Sequence, residues 1–129
     1  MKIRDAATQT DLTEKTIRYY EEIGLVIPMR RENGYRDFSE QDVHKLKFLA
    51  RSRKLGFSVD DCRQLLSLYS DRKRASKDVK RIAEAHLSEI EMKINELSNM
   101  QETLRYLVTN CKGNSRPDCP IINDLAGKH

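Results

Sequence analysis

At 129 residues the chain has room for one compact domain, or one small domain plus an extended element. With 38% hydrophobic and 34% charged residues and no Trp, it reads as soluble and helix-leaning, which excludes disordered and membrane-spanning classes. The formal charge of +4 is unevenly placed: residues 1–74 carry 16 Lys/Arg against 12 Asp/Glu, residues 75–129 carry 8 of each, and the excess can meet a polyanion such as DNA.

The opening MKIRDAATQT has no apolar signal-peptide core, so a cytoplasmic location is expected. Residues 3–10 predict a short helix with Ile3, Ala6 and Ala7 on one face, and Asp11-Leu12 makes a turn. Thr13 is a good N-cap for a second helix, which Gly24 can end in the left-handed conformation. Two short helices across a tight turn form a helix-turn-helix pattern, with Ile17 of the second pointing inward.

Pro28 breaks any helix, and Asn33-Gly34 between Arg30-Arg31 and Tyr35-Arg36 predicts a β-hairpin studded with arginines. Beside a helix-turn-helix such a hairpin is a wing, whose guanidinium groups can grip phosphates. Ser39, with Asp42 three residues on, caps a third helix whose apolar side is Val43, Leu46, Phe48 and Leu49 and which Gly56 closes. Ser58, with Asp61, caps a fourth with a buried stripe of Val59, Cys62, Leu65, Leu66 and Tyr69. DRKR at 71–74 is a polar link.

From Ser76 to about Asn110 there is neither Gly nor Pro. Ala83, Leu87, Ile90, Ile94, Leu97, Gln101, Leu104 and Val108 alternate steps of four and three, the spacing of a coiled coil. One helix with one apolar seam cannot bury it alone, so a second copy of the same helix, and hence a homodimer, is expected; folding back on its own domain is the other solution. Beyond it, Gly113, Asn114, Pro117 and Pro120 force a compact loop, and Ile121, Ile122 and Leu125 suggest a small apolar clamp.

LTEKTIRYYEEIGLVIP followed by RRENGYRDFSEQDVHKLKFLARSRKLGFS closely resembles the N-terminal domain of the MerR family of transcriptional regulators. With the long helix and the Cys loop the likeness spans essentially the whole chain, and Cys111 and Cys119, separated by seven residues and followed by PII, resemble its copper-responsive, CueR-type branch. The resemblance implies a mainly α fold: a winged helix-turn-helix over 1–70, a dimerisation helix over 76–110, and a metal-binding loop with a C-terminal clamp over 111–129. It implies that the second helix enters the major groove through Lys15, Thr16, Arg18, Tyr19 and Tyr20. The wing residues Arg30, Arg31, Asn33, Tyr35 and Arg36 would meet phosphates, and Arg53 would add a backbone contact. Of two adjacent tyrosines, at least one belongs in the core.

It implies further that a homodimer sits on a near-palindromic operator in double-stranded promoter DNA whose spacer is too long. Loading the effector would distort that DNA so that RNA polymerase initiates, at a deformation cost on the order of several kcal/mol. No membrane partner is implied.

An odd count of three cysteines argues against a disulfide framework. Two thiolates across a tight loop suit a soft cation, Cu(I) foremost, with Ag(I) and Au(I) possible, whereas zinc wants four ligands. Within the family, sensors of divalent or mercuric ions carry a further cysteine where this chain has Ser76, so that residue is implied to set monovalent selectivity. His129 is the one histidine near the pair in sequence. A Cu(I) bis-thiolate carries net −1, which backbone N–H groups, a helix N-terminus or Lys112 could offset.

Two incidental cysteines or a redox disulfide remain the alternatives for this pair. For the chain as a whole they are a Zn(II) or Hg(II) sensor on the same fold, or an effector-free architectural DNA binder. Cys62 reads as a small hydrophobe in the core, and His44 and His86 as surface or seam residues. Nothing suggests an enzyme.

Overall fold

The computed structural model describes residues 1–71, 73, 75–114 and 119–127. Arg72 and Arg74 of the polar link, together with Pro117 and His129, lie outside the described residues. Two compact units divide the chain, Met1–Ile82 and Ala83–His129.

The first unit opens with helices α1 (Ile3–Thr10) and α2 (Glu14–Glu22). Their turn is set by Asp11, held in the left-handed region at φ 59°, where a short polar side chain is tolerated. Thr13 caps α2 by accepting the Thr16 N–H at 3.1 Å, and its own hydroxyl donates to the Thr16 hydroxyl at 2.8 Å. Gly24 at φ 81° lets the chain leave the helix, as expected.

Strands β1 (Met29–Arg30) and β2 (Arg36–Asp37) pair antiparallel, with Met29 opposite Asp37 and Arg30 opposite Arg36. The hairpin forms where Asn33-Gly34 predicts it, but only Gly34 takes a positive φ, of 84°. The Gly34 N–H donates to the Arg31 carbonyl and the Arg31 N–H to the Tyr35 carbonyl, each at 2.8 Å. A three-residue loop with glycine at its left-handed position therefore replaces the tight two-residue turn that Asn-Gly often makes. Asn33 instead accepts the Tyr35 N–H through Oδ1 at 3.2 Å, stiffening the tip.

Helix α3 (Glu40–Lys54) begins with a full capping box: the Asp42 N–H donates to Ser39 Oγ, and the Ser39 N–H to Asp42 Oδ2. Helix α4 (Val59–Ser70) is capped by Ser58, which accepts the Asp61 N–H at 3.0 Å. The core lies where the helices meet: Ala6, Ile17, Tyr20, Leu25, Val26, Phe38, Leu46, Leu49, Cys62 and Leu66 form one buried cluster.

One expectation is corrected at its edge. Phe48 packs partly buried against the core, as its place on the apolar side of α3 predicts, while the inward stripe runs through Val43, Leu46 and Leu49. Tyr69 is 50% exposed rather than buried, and its ring rests on Phe48 with centroids 5.0 Å apart.

Helix α5 (Ser76–Asn110) runs unbroken over the residues expected for the dimerisation helix. Its seam residues Leu87, Ile94, Leu97, Leu104 and Val108 are exposed, whereas Leu107, off the four-three spacing, is buried. Helix α6 (Pro120–Leu125) starts on a proline that needs no N–H partner and ends before Gly127 at φ 75°. Of the residues expected to form a clamp, Ile121 is half-buried, and Ile122 and Leu125 are exposed.

Among the described residues no helix is long and apolar enough to cross a membrane.

Candidate nucleic-acid interface and thiol pair

Helix α2 divides its residues by face. Ile17 and Tyr20 lie in the core, Thr16 is half-buried, and Lys15, Arg18 and Tyr19 are exposed. Tyr20, expected among the groove residues, is corrected by its burial: it is 5% exposed against 46% for Tyr19. Three residues beyond Ile17 on a helix, it must share the inward face. Burial also raises its phenol above the ordinary value, an effect that the neighbouring Arg53 guanidinium opposes.

Arg53, expected to reach the DNA backbone, is exposed, and its Nη1 donates to the Phe57 carbonyl, which ties the guanidinium to the fold. It lines a groove of about 470 Å³ with Lys47, Arg51 and Lys54.

A larger groove of about 890 Å³ joins Arg18 of α2 to Arg31, Asn33, Tyr35 and Arg36 of the wing, and brings Lys2 and Arg4 beside them. The sequence reading missed Lys2 and Arg4. They reach the wing because Met1 folds onto β2: its amine pairs with Asp37, and its carbonyl accepts the Phe38 N–H at 2.7 Å. That contact spans thirty-six residues and leaves no short-range signal.

The wing arginines are not equivalent. Glu21, near the end of α2, takes Arg30 Nη2 on Oε1 at 2.7 Å and Arg36 Nε on Oε2. Arg30 Nη1 also donates to the Gly34 carbonyl at 3.0 Å. Arg31 lies 3.6 Å from Asp37 and keeps 66% of its side chain exposed, and Tyr35 is exposed at the tip. Glu21 was another residue the sequence reading passed over.

In the second unit, Cys111 follows α5 directly and Cys119 sits at the N-cap of α6. Their Sγ atoms lie 3.6 Å apart, both residues half-buried, with neither in a disulfide. The Cys119 thiol is held below its ordinary value, first by the backbone N–H of Ile122 and next by the Cys111 thiol. These groups polarise the sulfur without closing a helix-capping hydrogen bond.

Among the described residues no group of three or more His, Cys, Asp or Glu could hold a metal ion. The two sulfurs are close enough for one ion to be held by both, and as soft donors they fit a thiophilic cation. Ser76 begins α5 and is exposed. Cys62 is buried as expected, and burial pushes its thiol up.

Comparison with known proteins places these features among relatives. The family model described as MerR HTH family regulatory protein matches residues 1–68, and that described as MerR, DNA binding matches residues 43–107. The chain is 57% identical to the HTH-type transcriptional regulator HmrR of Rhizobium leguminosarum bv. viciae, covering 98% of each chain. It is 43% identical to the HTH-type transcriptional regulator CueR of Salmonella typhimurium, over 98% of this chain and 93% of that one. Among solved structures, PbrR691 from Ralstonia metallidurans CH34 in complex with lead(II) superposes with a TM-score of 0.85 at 29% identity, covering 97% of this chain and 98% of the other. MerR from Bacillus megaterium MB1 with mercury(II) superposes at 0.69 with 32% identity, over 93% and 94%.

Proposed function

This chain belongs to the MerR family of DNA-binding transcriptional regulators, and from that premise we propose that it is a metal-responsive activator whose effector is Cu(I), with Ag(I) or Au(I) as surrogates. It is a regulator and not an enzyme. The observation that carries the copper reading is the pair of thiols 3.6 Å apart, with no group of three or more metal-ligating side chains among the described residues.

Donor number favours a monovalent ion: two thiolates satisfy Cu(I), whereas a structural divalent site normally gathers four ligands. Cys111 and Cys119 would hold such an ion, and two thiolates with one monovalent cation would sum to a net charge of −1. The backbone N–H groups of Ile122 and Ile121 at Cys119 are placed to offset that charge, and Lys112 adds a cation next in sequence. Ser76, where the resemblance would put the third thiol of a divalent sensor, supports the same choice.

In the first unit, Lys15, Thr16, Arg18 and Tyr19 enter the major groove, and Arg31, Asn33 and Tyr35 meet the sugar-phosphate backbone. The exposed seam of α5 pairs with a second copy, so two such heads read a near-palindrome in promoter DNA. RNA polymerase starts from that promoter once its distorted spacer is realigned. Copper-export and detoxification genes are the expected targets.

A divalent sensor is the second reading, favoured by the likeness to proteins solved with lead(II) and mercury(II). Titrating the reduced protein with Cu(I), Ag(I) and Zn(II) while following transcription from its own promoter separates the two. Activation by zinc with none by copper overturns the copper reading. Cys111→Ser abolishes the response of a metal sensor but leaves an architectural DNA binder at full activity.

A further inference from the structure

Arg30 and Arg36 stand directly opposite each other in the wing. Like charges at such a cross-strand position are destabilising, and strands of two residues each form only a short ladder to oppose that. The Glu21 carboxylate answers this by presenting a different oxygen to each guanidinium.

Its place on α2 explains the reach. Four residues after Ile17 and next to Tyr20, Glu21 lies at the edge of the buried face, with its side chain only 17% exposed. A carboxylate so far withdrawn from water needs charged partners. The Arg36 side chain is itself withdrawn, at 26% exposed.

We propose that Glu21 is a positioning residue for DNA recognition: by bridging Arg30 and Arg36 it fixes the wing's angle on α2 and withholds both guanidiniums from the phosphates. The wing's phosphate contact then falls to Arg31 and Tyr35 at the tip, together with Arg18, Lys2 and Arg4 along the same groove. The distance between what α2 reads and where the wing grips becomes fixed, so the wing contributes to sequence selectivity as well as to affinity.

Salt dependence separates this from a merely structural role, because each phosphate contact contributes about 0.9 to the slope of log affinity against log salt. The full-length protein is titrated with a duplex it has selected from a random-sequence pool and with a scrambled duplex, across about 50–200 mM salt.

Arg18→Ala and Arg31→Ala are expected to flatten the slope by about 0.9 for every contact removed. Arg30→Ala and Arg36→Ala leave the slope unchanged but lower the ratio of selected to scrambled binding about tenfold, the scale of one modest base-reading loss. Glu21→Gln steepens the slope, as released guanidiniums find phosphates, and lowers the same ratio. If Arg36→Ala flattens the slope as Arg18→Ala does, or Glu21→Gln changes neither slope nor ratio, the proposal is overturned. The arginine variants decide it even if Glu21→Gln does not fold.

Discussion

The sulfur atoms of Cys111 and Cys119 face each other at 3.6 Å, and the backbone N–H of Ile122 holds the Cys119 thiol below its ordinary value. A lowered value means more thiolate at neutral pH. Alkylation of Cys119 is therefore expected to persist at lower pH than that of a free cysteine, whose value is about 8.5. Cys62, buried and shifted upward, stays unlabelled until the protein unfolds. Site-resolved mass spectrometry after iodoacetamide treatment across neutral pH gives the order; equal labelling of Cys62 and Cys119 in the native protein contradicts it.

The two adjacent tyrosines separate stability from recognition. Tyr20→Ala removes a core ring and is expected to cost about 3–5 kcal/mol, by the scale of large aromatic truncations. Tyr19→Ala is expected to leave stability within about 0.5 kcal/mol while weakening DNA binding. Urea denaturation and duplex titration of both variants test the division, which fails if Tyr19→Ala unfolds the protein as readily as Tyr20→Ala.

Asp37 sets an acid limit for the wing. The Met1 ammonium, by direct hydrogen bond, and Arg31 hold its carboxyl below the ordinary value. The stability it contributes is therefore present above the unfolded carboxyl's pKa of about 3.9 and is lost as pH falls through the lower folded value. Asp37→Asn is expected to show a lower urea midpoint than the parent at neutral pH and to meet it in acid. Parallel curves across that range refute the assignment.

The exposed seam of α5 predicts the assembly. Leu97, 62% exposed, lies within the four-three spacing, and Leu97→Glu would place a charge in each half of a helix pair. Light scattering is expected to report a dimer for the parent and a monomer for the variant. An unchanged mass rules out this seam as the interface.

Much of this was legible without coordinates because capping and turn chemistry act over three or four residues. Thr13, Ser39 and Ser58 start the helices they were expected to start, and Gly24 and Gly34 take the positive φ their positions demand. Periodicity placed Ile17, Leu46, Leu49 and Cys62 in the core. It was weaker at Tyr69, which sits on a helix flank where a hundred-degree step leaves a ring half in and half out.

The wing was foreseen, but its charge arrangement was not. Glu21 is nine residues from Arg30 and fifteen from Arg36, and no local pattern announces a carboxylate shared across that span. Lys2 and Arg4 escaped for the same reason. The approach of the two loop sulfurs was implied by the family likeness; the backbone donors at Cys119 come from how α6 begins.

The depth of Cys62 has a consequence for stoichiometry. A third accessible thiol would compete for any thiophilic ion, and a chain with two kinds of sulfur would respond gradually as the weaker site filled. With Cys62 1% exposed and its thiol pushed up, the folded chain offers a single paired site. If Cys111 and Cys119 hold the ion as proposed, saturation is expected at one equivalent per chain, which would give the response a sharp end point.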